Sequence, residues 1–474
     1  MAAMQPPRAD AMFTALGRIS QALGPEAGLV LVGGAVRDRL LGRESGDWDL
    51  ASILLPEEVM ARARSAGMRV IPTGLQHGTV TLVEEGKAFE ITTFRGEGEY
   101  LDGRRPASVQ LGVALEQDLA RRDFTINALA LPVAALDRPD WPDWVVDPFG
   151  GRRDLEARLI RAVGEPLERF GEDGLRGLRA CRFASQLAFA IEPRTFAAIR
   201  LRLAVSAKVA VERVFTELSK LLCGAAPGLG LEALAGAGLL RLWLPEVEPM
   251  IGCEQNNHHR LPVWEHTLEV VRRNAPDPDL RWAALLHDIG KPASWSQDAG
   301  GDIHFHGHEG RSVALAEAIL TRLRASHALI RKVLALVAHH GTHPGPHWSD
   351  GDCRRFLKAL RDDDLALERW AAFRLADQSG KGFGFRRCLT DHQAILGRLQ
   401  ALAAPGPPLA IRDLALDGKA LMAHAGSAGG PRKGGPWLGE LQAALLEAVL
   451  DEPEVNSPEA LRMAATAWLA ANPG

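Results

Sequence analysis

The apolar positions of this chain change their spacing after roughly its first third. Early on they form short runs punctuated by glycine, and later they recur at helical spacing over long alanine- and leucine-rich stretches. Short runs between turn residues predict strands, and the helical period predicts helices with one buried face. A leading helix is expected around Ala11 to Leu23, ended by Gly24-Pro25. Leu29 to Val32 then reads as a strand, Gly33-Gly34 as a tight turn, Ala35 to Leu41 as a helix starting at the glycines, and Trp48 to Leu54 as a second strand. A helix over Pro56 to Ala66 stops at Gly67, and Val70-Ile71, Thr79 to Val83 and Ala88 to Thr93 read as further strands. Residues 95–110 mix charge with glycine and proline and read as a mobile loop, whereas Asp118 to Ala130 reads as a charged helix entering a core.

Beyond Asp147, whose DPFGGRRDLE stretch reads as a Pro/Gly-rich turn, the pattern is helical. Leu187 to Glu217, Leu229 to Leu242, Thr390 to Ala403 and Leu438 to Leu450 carry periodic apolar residues, separated by Gly/Pro-rich breaks at 404–409 and 424–436. The expected architecture is an α/β head with a mixed β-sheet at 1–150, an all-helical neck and body at 151–255, a histidine-rich helical domain at 256–380 and a helical tail at 381–474.

Composition narrows the classes of function. A chain of 474 residues with 46% hydrophobic residues has material for several cores. The five cysteines, at 181, 223, 253, 353 and 388, show no paired CxxC spacing, which argues against a disulfide framework or thiolate zinc and predicts a cytoplasmic setting. No run is long and apolar enough to suggest a membrane span. The formal charge of -4 excludes a uniformly basic coat, but Arg152 to Lys220 holds 14 Arg/Lys against 9 Asp/Glu, a local balance of +5 that suits an RNA backbone.

Candidate chemistry begins in LVLVGGAVRDRLLGRESGDWDLA, Leu29 to Ala51. Asp47 and Asp49, separated by one residue on a strand, point to the same face and are suited to a pair of hard divalent cations. Gly33 and Gly34 permit close approach of phosphate to backbone N–H groups, and Arg37 brings a planar cation. Glu90, on an alternating strand, is placed to add a third carboxylate. In DLARRDFTINALA, Arg122 suits a triphosphate, Asp123 fixes Arg122 or the adjacent backbone, and Asn127 supports ribose or loop geometry.

Together GG, RD, DWD and RRDFTINA resemble the nucleotidyltransferase superfamily, and more narrowly the class II tRNA nucleotidyltransferases that build or repair the 3′-terminal CCA of tRNA. EDGLRGLR, at Glu172 to Arg179, resembles that family's nucleotide-selecting motif. The resemblance implies Asp173 and Arg176 as an amino-acid template for C and A, with Arg179 supporting base or phosphate. It further implies Mg²⁺ on Asp47 and Asp49, with tRNA, CTP and ATP as partners. Addition of CC only or A only, a poly(A) polymerase and a noncatalytic RNA-binding protein are the alternatives; oligomeric state is not legible.

A second centre lies in the histidine-rich region. The ordered series His266, His287-Asp288, His308, His339 and Asp377 resembles an HD phosphohydrolase-type domain. His266, His287, Asp288 and Asp377 are expected to hold Mn²⁺, Ni²⁺, Fe²⁺ or Zn²⁺, with His308 and His339 as further ligands or phosphate contacts. His340 competes with His339, and His304 and His306 are weaker candidates. The resemblance implies hydrolysis of phosphoesters, including 2′,3′-cyclic phosphate at damaged RNA ends.

Overall fold

The computed structural model describes residues 10–44, 48–97, 109–255, 259–382, 385–404, 406–429 and 434–472. The chain divides into two compact units, Met1–Pro245 and Glu246–Gly474. No helix among the described residues is long and apolar enough to cross a membrane.

The first unit opens with α1 (Asp10–Leu23). Its Ala15, Leu16, Ile19 and Leu23 are fully buried, the helical spacing of one apolar face. Strand β1 (Val30–Val32) leads through Gly33 into α2 (Gly34–Leu40), and β2 (Leu50–Ser52) follows. Next come α3 (Pro56–Ser65), β3 (Arg69–Ile71), β4 (Thr79–Glu84) and β5 (Lys87–Thr93). Strands β6 (Arg95–Glu97) and β7 (Val109–Leu111) pair antiparallel, so both ends of the stretch expected to be one irregular loop are strands. Tyr100 and the rest of that loop, 98–108, lie outside the described residues.

The main sheet has the order β3-β4-β5-β2-β1-β8, closed at one edge by β8 (Ala130–Pro132). Only β2 with β5 is parallel; the other neighbours run antiparallel, so the sheet is mixed as expected. β1 and β2 are buried along their whole length, because they are central and covered on both faces. Val30, Val32, Ala51, Phe94, Leu119, Ala128 and Ala130 make one cluster of the core.

Asp118 to Ala130 departs from the expected continuous helix. Helix α4 (Leu115–Ala120) stops before Arg121, Thr125–Asn127 forms a single 3₁₀ turn, and Ala130 enters β8. The segment is held by tertiary bonds: Thr125 N–H donates to the Arg161 carbonyl at 2.9 Å, and Val163 N–H to the Asp123 carbonyl at 3.1 Å.

After α5 (Gly151–Glu156) and β9 (Leu159–Ile160) come α6 (Pro166–Glu172) and α7 (Leu175–Leu187). Strand β10 (Ala190–Ile191), parallel to β9, interrupts the expected helical run from Leu187. Helices α8 (Pro193–Leu201), α9 (Leu203–Ser206), α10 (Val211–Leu222), α11 (Pro227–Ala237) and α12 (Leu239–Trp243) complete the unit. α7 is buried along most of its length between α10 and α11. At Gly230 on α11 a β-carbon would stand 2.9 Å from the Cys181 carbonyl oxygen, so only glycine lets the two backbones meet there.

The second unit is helical: α13 (Val263–Arg273), α14 (Pro278–Leu286), α15 (Lys291–Ser294), α16 (His308–Arg322), α17 (His327–His339), α18 (Asp350–Asp362) and α19 (Leu367–Gly380). Two short strands, β11 (Ser296–Gln297) and β12 (Ile303–His304), precede α16. α20 (Phe385–Ala403), α21 (Gly418–Gly429), α22 (Pro436–Asp451) and α23 (Pro458–Ala471) form the tail, with a core of Leu421, Leu441, Leu445, Val449 and Leu461.

Candidate functional site

In the first unit the β1–α2 connection sets the geometry. Gly33 takes φ 67° and ψ −126°, which a side chain would resist. It is buried, its N–H donates to the Leu129 carbonyl at 3.0 Å, and a β-carbon there would lie 2.6 Å from Arg122 Nη1. The missing side chain thus makes the seat for a guanidinium at the start of α2. Gly34 is the first residue of that helix. Arg122 is anchored by Asp118 at 3.3 Å, while its buried Nε has no hydrogen-bond partner among the described residues. Such an orphan cationic donor suits an incoming anion. We expect Gly33→Ala to displace the Arg122 guanidinium and weaken the binding of inorganic triphosphate about tenfold. Calorimetric titration of the folded variant checks this, and unchanged binding would count against Arg122 as an anion contact.

A continuous chain of polar contacts runs from α2 to α7. Arg37 is held by Asp38 and donates from Nη1 to Asn127 Oδ1 at 2.6 Å. Asn127 Nδ2 donates to Asp123 Oδ1 at 3.1 Å, and Arg179 Nε donates to Asp123 Oδ2 at 2.7 Å. Asp123 also accepts from the Phe124 N–H at 2.8 Å, so it fixes the adjacent backbone, while Asp118 is the carboxylate that orients Arg122. Burial alone would raise the Asp123 pKa, but Arg179, Asn127 and Arg176 hold the carboxyl at about 2. Since the folded value lies below the ordinary one, Asp123 contributes stability above the ordinary carboxylate pKa and loses it as pH falls through about 2. The stability advantage of the wild type over Asp123→Asn is therefore expected to shrink between about pH 4 and pH 2. Denaturant unfolding across that window checks it; a constant difference would mean that the Asp123 charge does not support the fold.

Asp49 follows the undescribed Asp47 and is exposed just ahead of β2, with its carbonyl accepting from the Val32 N–H at 3.0 Å. Because Leu50 pairs with Ile91, the same register continued one step sets Asp49 beside the exposed Glu90 on one face. An all-carboxylate donor set of this kind fits a hard cation such as Mg²⁺.

The two expected template residues lie on different elements. Asp173 sits between α6 and α7 in an extended conformation, accepts from the Leu175 N–H at 2.9 Å, and faces Arg213 Nη2 at 3.2 Å. Arg176 is buried and pairs with Glu172, and it donates to the Arg169 carbonyl at 2.9 Å and the Arg121 carbonyl at 3.1 Å. Arg37, Arg179 and Arg182 lie over the Phe183 ring, at 5.2, 5.5 and 3.9 Å from its centre. Asp118, Phe183, Arg213 and Glu217 escaped sequence reasoning. Only Asp118 left a signal, its spacing of four residues from Arg122 at a helix end.

In the second unit, α13, the end of α14, the starts of α15 and α16, the end of α17 and α19 bring the histidines together. Two groups of ligand-type atoms form: His266, His287 and Asp377, and then Asp288, His308 and His340. His266 Nε2 lies 3.3 Å from His287 Nε2 and 3.1 Å from Asp377 Oδ1, spacings that suit donors about 2.0–2.2 Å from a common ion. Asp288 serves both groups, with Oδ2 3.1 Å from His287 and Oδ1 3.5 Å from both His308 and His340. His287, His308 and His340 each direct Nδ1 at a backbone carbonyl three residues earlier, at 2.9, 2.9 and 2.6 Å. Nδ1–H donation there leaves each Nε2 lone pair facing the carboxylates, the arrangement a metal-binding imidazole needs.

His339 was expected as a ligand or phosphate contact, and its placement requires a correction. Its Nε2 bonds Asp363 at 2.7 Å, away from both groups, and His340 is the imidazole that joins the second one. At the end of α17 one residue is about a quarter turn, enough to face a different neighbour. His304 and His306 stack at 5.4 Å on the rim of a cleft of about 340 Å³, outside both groups. Asp288 and Asp377 also border that cleft, with Lys291 and Lys381. Against the effect of burial, His287 and Lys291 hold Asp288 well below the usual carboxylate range, and Lys381 and His266 do so for Asp377. Burial above all, and then the charges of Lys291 and Lys381, press His259 down to about 2.

Comparison with known proteins gives three family matches: a poly A polymerase head domain over residues 29–161, a probable RNA and SrmB-binding site of polymerase A over 188–251, and an HD domain over 258–369. The A-adding tRNA nucleotidyltransferase of Deinococcus radiodurans is 35% identical over 424 residues, covering 85% of this chain and 88% of the relative. A CCA-adding enzyme of Geobacillus stearothermophilus is 46% identical over 287 residues, 60% of this chain and 64% of the relative. Across three Geobacillus CCA-adding enzymes the matched stretch spans 48 to 64% of the relative's length. The crystal structure of the Bacillus stearothermophilus CCA-adding enzyme in complex with CTP superposes with a TM-score of 0.71 at 28% identity, covering 98% of this chain and 99% of that one.

Proposed function

This chain belongs to the family of CCA-adding enzymes and tRNA nucleotidyltransferases, with an HD domain in its C-terminal half, and from that premise we propose that it adds or repairs the 3′-terminal CCA of tRNA from CTP and ATP. The observation that supports this is the polar chain Arg37–Asn127–Asp123–Arg179, which ties α2 of the head to α7 of the neck, the two elements that carry the family's motifs. In this reading residues 1–150 are the catalytic head, 151–255 the neck and body, 256–380 the HD domain and 381–474 the tail.

The tRNA 3′-hydroxyl attacks the α-phosphorus of the nucleotide, a new P–O bond forms, and the bond to the bridging oxygen breaks to release pyrophosphate. Asp47, Asp49 and Glu90 would hold Mg²⁺, which supplies activation of the hydroxyl and neutralisation of phosphate charge. Arg122, seated on Gly33, and Arg37 bind the triphosphate and keep its leaving end in place. Asp173 accepts from the exocyclic amine of cytosine or adenine, Arg176 donates to the neighbouring acceptor, and Arg179 fixes Arg176's surroundings through Asp123.

The decisive experiment offers tRNAs truncated before each of the three terminal positions with each nucleotide in turn. Stepwise C, C and A addition supports the full activity; two cytidines alone or the last adenosine alone assigns the narrower one; processive A addition without tRNA preference assigns a poly(A) polymerase.

The HD domain is proposed to hydrolyse an RNA phosphoester, such as a 2′,3′-cyclic phosphate. His266, His287 and Asp377, with Asp288, His308 and His340, would hold divalent metal, which supplies charge stabilisation at phosphorus and an activated water. Lys291 and Lys381 attract the anionic ester into the cleft, and the backbone-anchored imidazoles keep the donor atoms in place before substrate arrives.

A further inference from the structure

We infer that His343 and Gln378 form a two-donor site for a phosphoryl oxygen in the HD cleft; this rests on the hydrolase reading of that cleft. His343 lines the cleft beside Asp288, Lys291 and Asp377, yet it belongs to neither ligand group. It stands three residues beyond His340, in the chain between α17 and α18, and it is exposed. On α19, Arg374, Asp377 and Gln378 recur at helical spacing and so share one face. From that face a guanidinium and an amide both reach the His343 ring.

These partners decide where the ring carries its proton. Arg374 is buried, its Nε and Nη1 have no hydrogen-bond partner among the described residues, and its Nη2 lies 3.1 Å from His343 Nδ1. A guanidinium only donates and keeps its charge, so Nδ1 accepts and the single proton of the neutral ring sits on Nε2. A second ring proton would turn an N–H against a buried cation. His343 Nε2 lies 3.0 Å from Gln378 Nε2, and that amide nitrogen donates to Asp377 Oδ2 at 3.0 Å. With one hydrogen given to Asp377, the amide keeps a second, which meets the imidazole N–H rather than an acceptor. Two donors side by side are what a developing oxyanion satisfies. In the hydrolysis, water attacks phosphorus, the P–O bond to one ribose oxygen breaks, and that oxygen takes its proton from solvent. Negative charge gathers meanwhile on the phosphoryl oxygens, and His343 and Gln378 donate to one of them without losing their own protons. Both side chains touch the substrate in this role and are catalytic residues, distinct from the groups placed to hold metal.

The test uses the full chain, loaded with Mn²⁺ or Ni²⁺ in turn, on tRNA ending in a 2′,3′-cyclic phosphate. Wild type, His343→Ala, His343→Gln and Gln378→Ala are compared, with metal content and folded content measured for each. His343→Ala is expected to lower kcat about a hundredfold, with KM and metal content little changed. His343→Gln, whose amide returns a donor near the position of Nε2, is expected to recover most of the loss, and Gln378→Ala to fall in the same direction. A second readout needs neither metal nor turnover. Heteronuclear NMR of the ring nitrogens in the metal-free, histidine-labelled protein, with the His343 signals assigned by their absence from His343→Gln, is expected to place the proton on Nε2. A proton on Nδ1 overturns the site while the hydrolase reading stands, and so does a folded, metal-loaded His343→Ala that keeps the wild-type kcat. Loss of metal from His343→Ala would overturn it too, since His343 would then act as a ligand. A metal-loaded wild type that turns over no phosphoester ends the hydrolase reading, and this site falls with it.

Discussion

Asp49→Ala is expected to lower nucleotide addition by roughly a thousandfold, equivalent to about 4 kcal/mol at the transition state, while the protein stays folded. The side chain is exposed, and the ladder at that point is closed by backbone, through the Val32 N–H to the Asp49 carbonyl at 3.0 Å. Truncation at Cβ leaves that bond and the buried Leu50 beside it untouched. What disappears is one of the carboxylates proposed to hold the cations, and with it charge compensation at a reacting triphosphate. Asp47→Ala should behave alike, because the aspartates separated by one residue were assigned one role. Incorporation with Mg²⁺ present is measured beside circular dichroism of each variant. Near-normal addition by both would remove the proposed catalytic centre, whereas loss together with unfolding would assign Asp49 to the fold.

Asp288→Ala is expected to abolish hydrolysis of the RNA phosphoester while CTP and ATP transfer continues, because the two centres lie in separate compact units. The effect should be large, since the Asp288 carboxylate lies near members of both ligand groups. Its removal also leaves Lys291, 2.7 Å away, and the surrounding imidazoles without their shared counter-charge in a buried site. Asp288→Asn, which keeps the volume, separates the loss of charge from the loss of packing. Wild type and both variants are assayed on tRNA ending in a 2′,3′-cyclic phosphate and on a simple cyclic nucleotide, with Mg²⁺, Mn²⁺ and Ni²⁺ supplied separately and metal content measured. A metal-loaded wild type that turns over neither substrate would leave the HD domain a structural support.

The mixed sheet and the helical remainder were legible because they depend on local spacing. Glycine after an apolar run, as at Gly33, can only mean a turn or a close approach, and here it means both. The Asp118 to Ala130 stretch misled because charged and apolar residues at helical spacing also suit a loop whose polar groups are satisfied elsewhere. Arg161 and Val163, far along the chain, supply those bonds. Likewise β10 pairs with β9 across a long separation, and neither of these two-residue strands has a periodicity to detect.

The candidate sites divide along the same line. Motif order by itself determined which residue types would meet: two close aspartates, a glycine seat, arginines with a polar relay, and a histidine–aspartate series. Tertiary structure alone decided the pairings. It seated Arg122 on Gly33, gave Arg122 to Asp118 and Asp123 to Arg179, and opposed Arg213 to Asp173. It also chose His340 over His339, since adjacent residues at a helix end face different neighbours and only the packing of α17 against α14 and α19 says which of them looks inward. A sequence specifies the charge and shape of each group through local chemistry, but the partner of a buried charge is set by which elements pack together. Desolvation makes those pairings energetically consequential, and they are long-range in the chain.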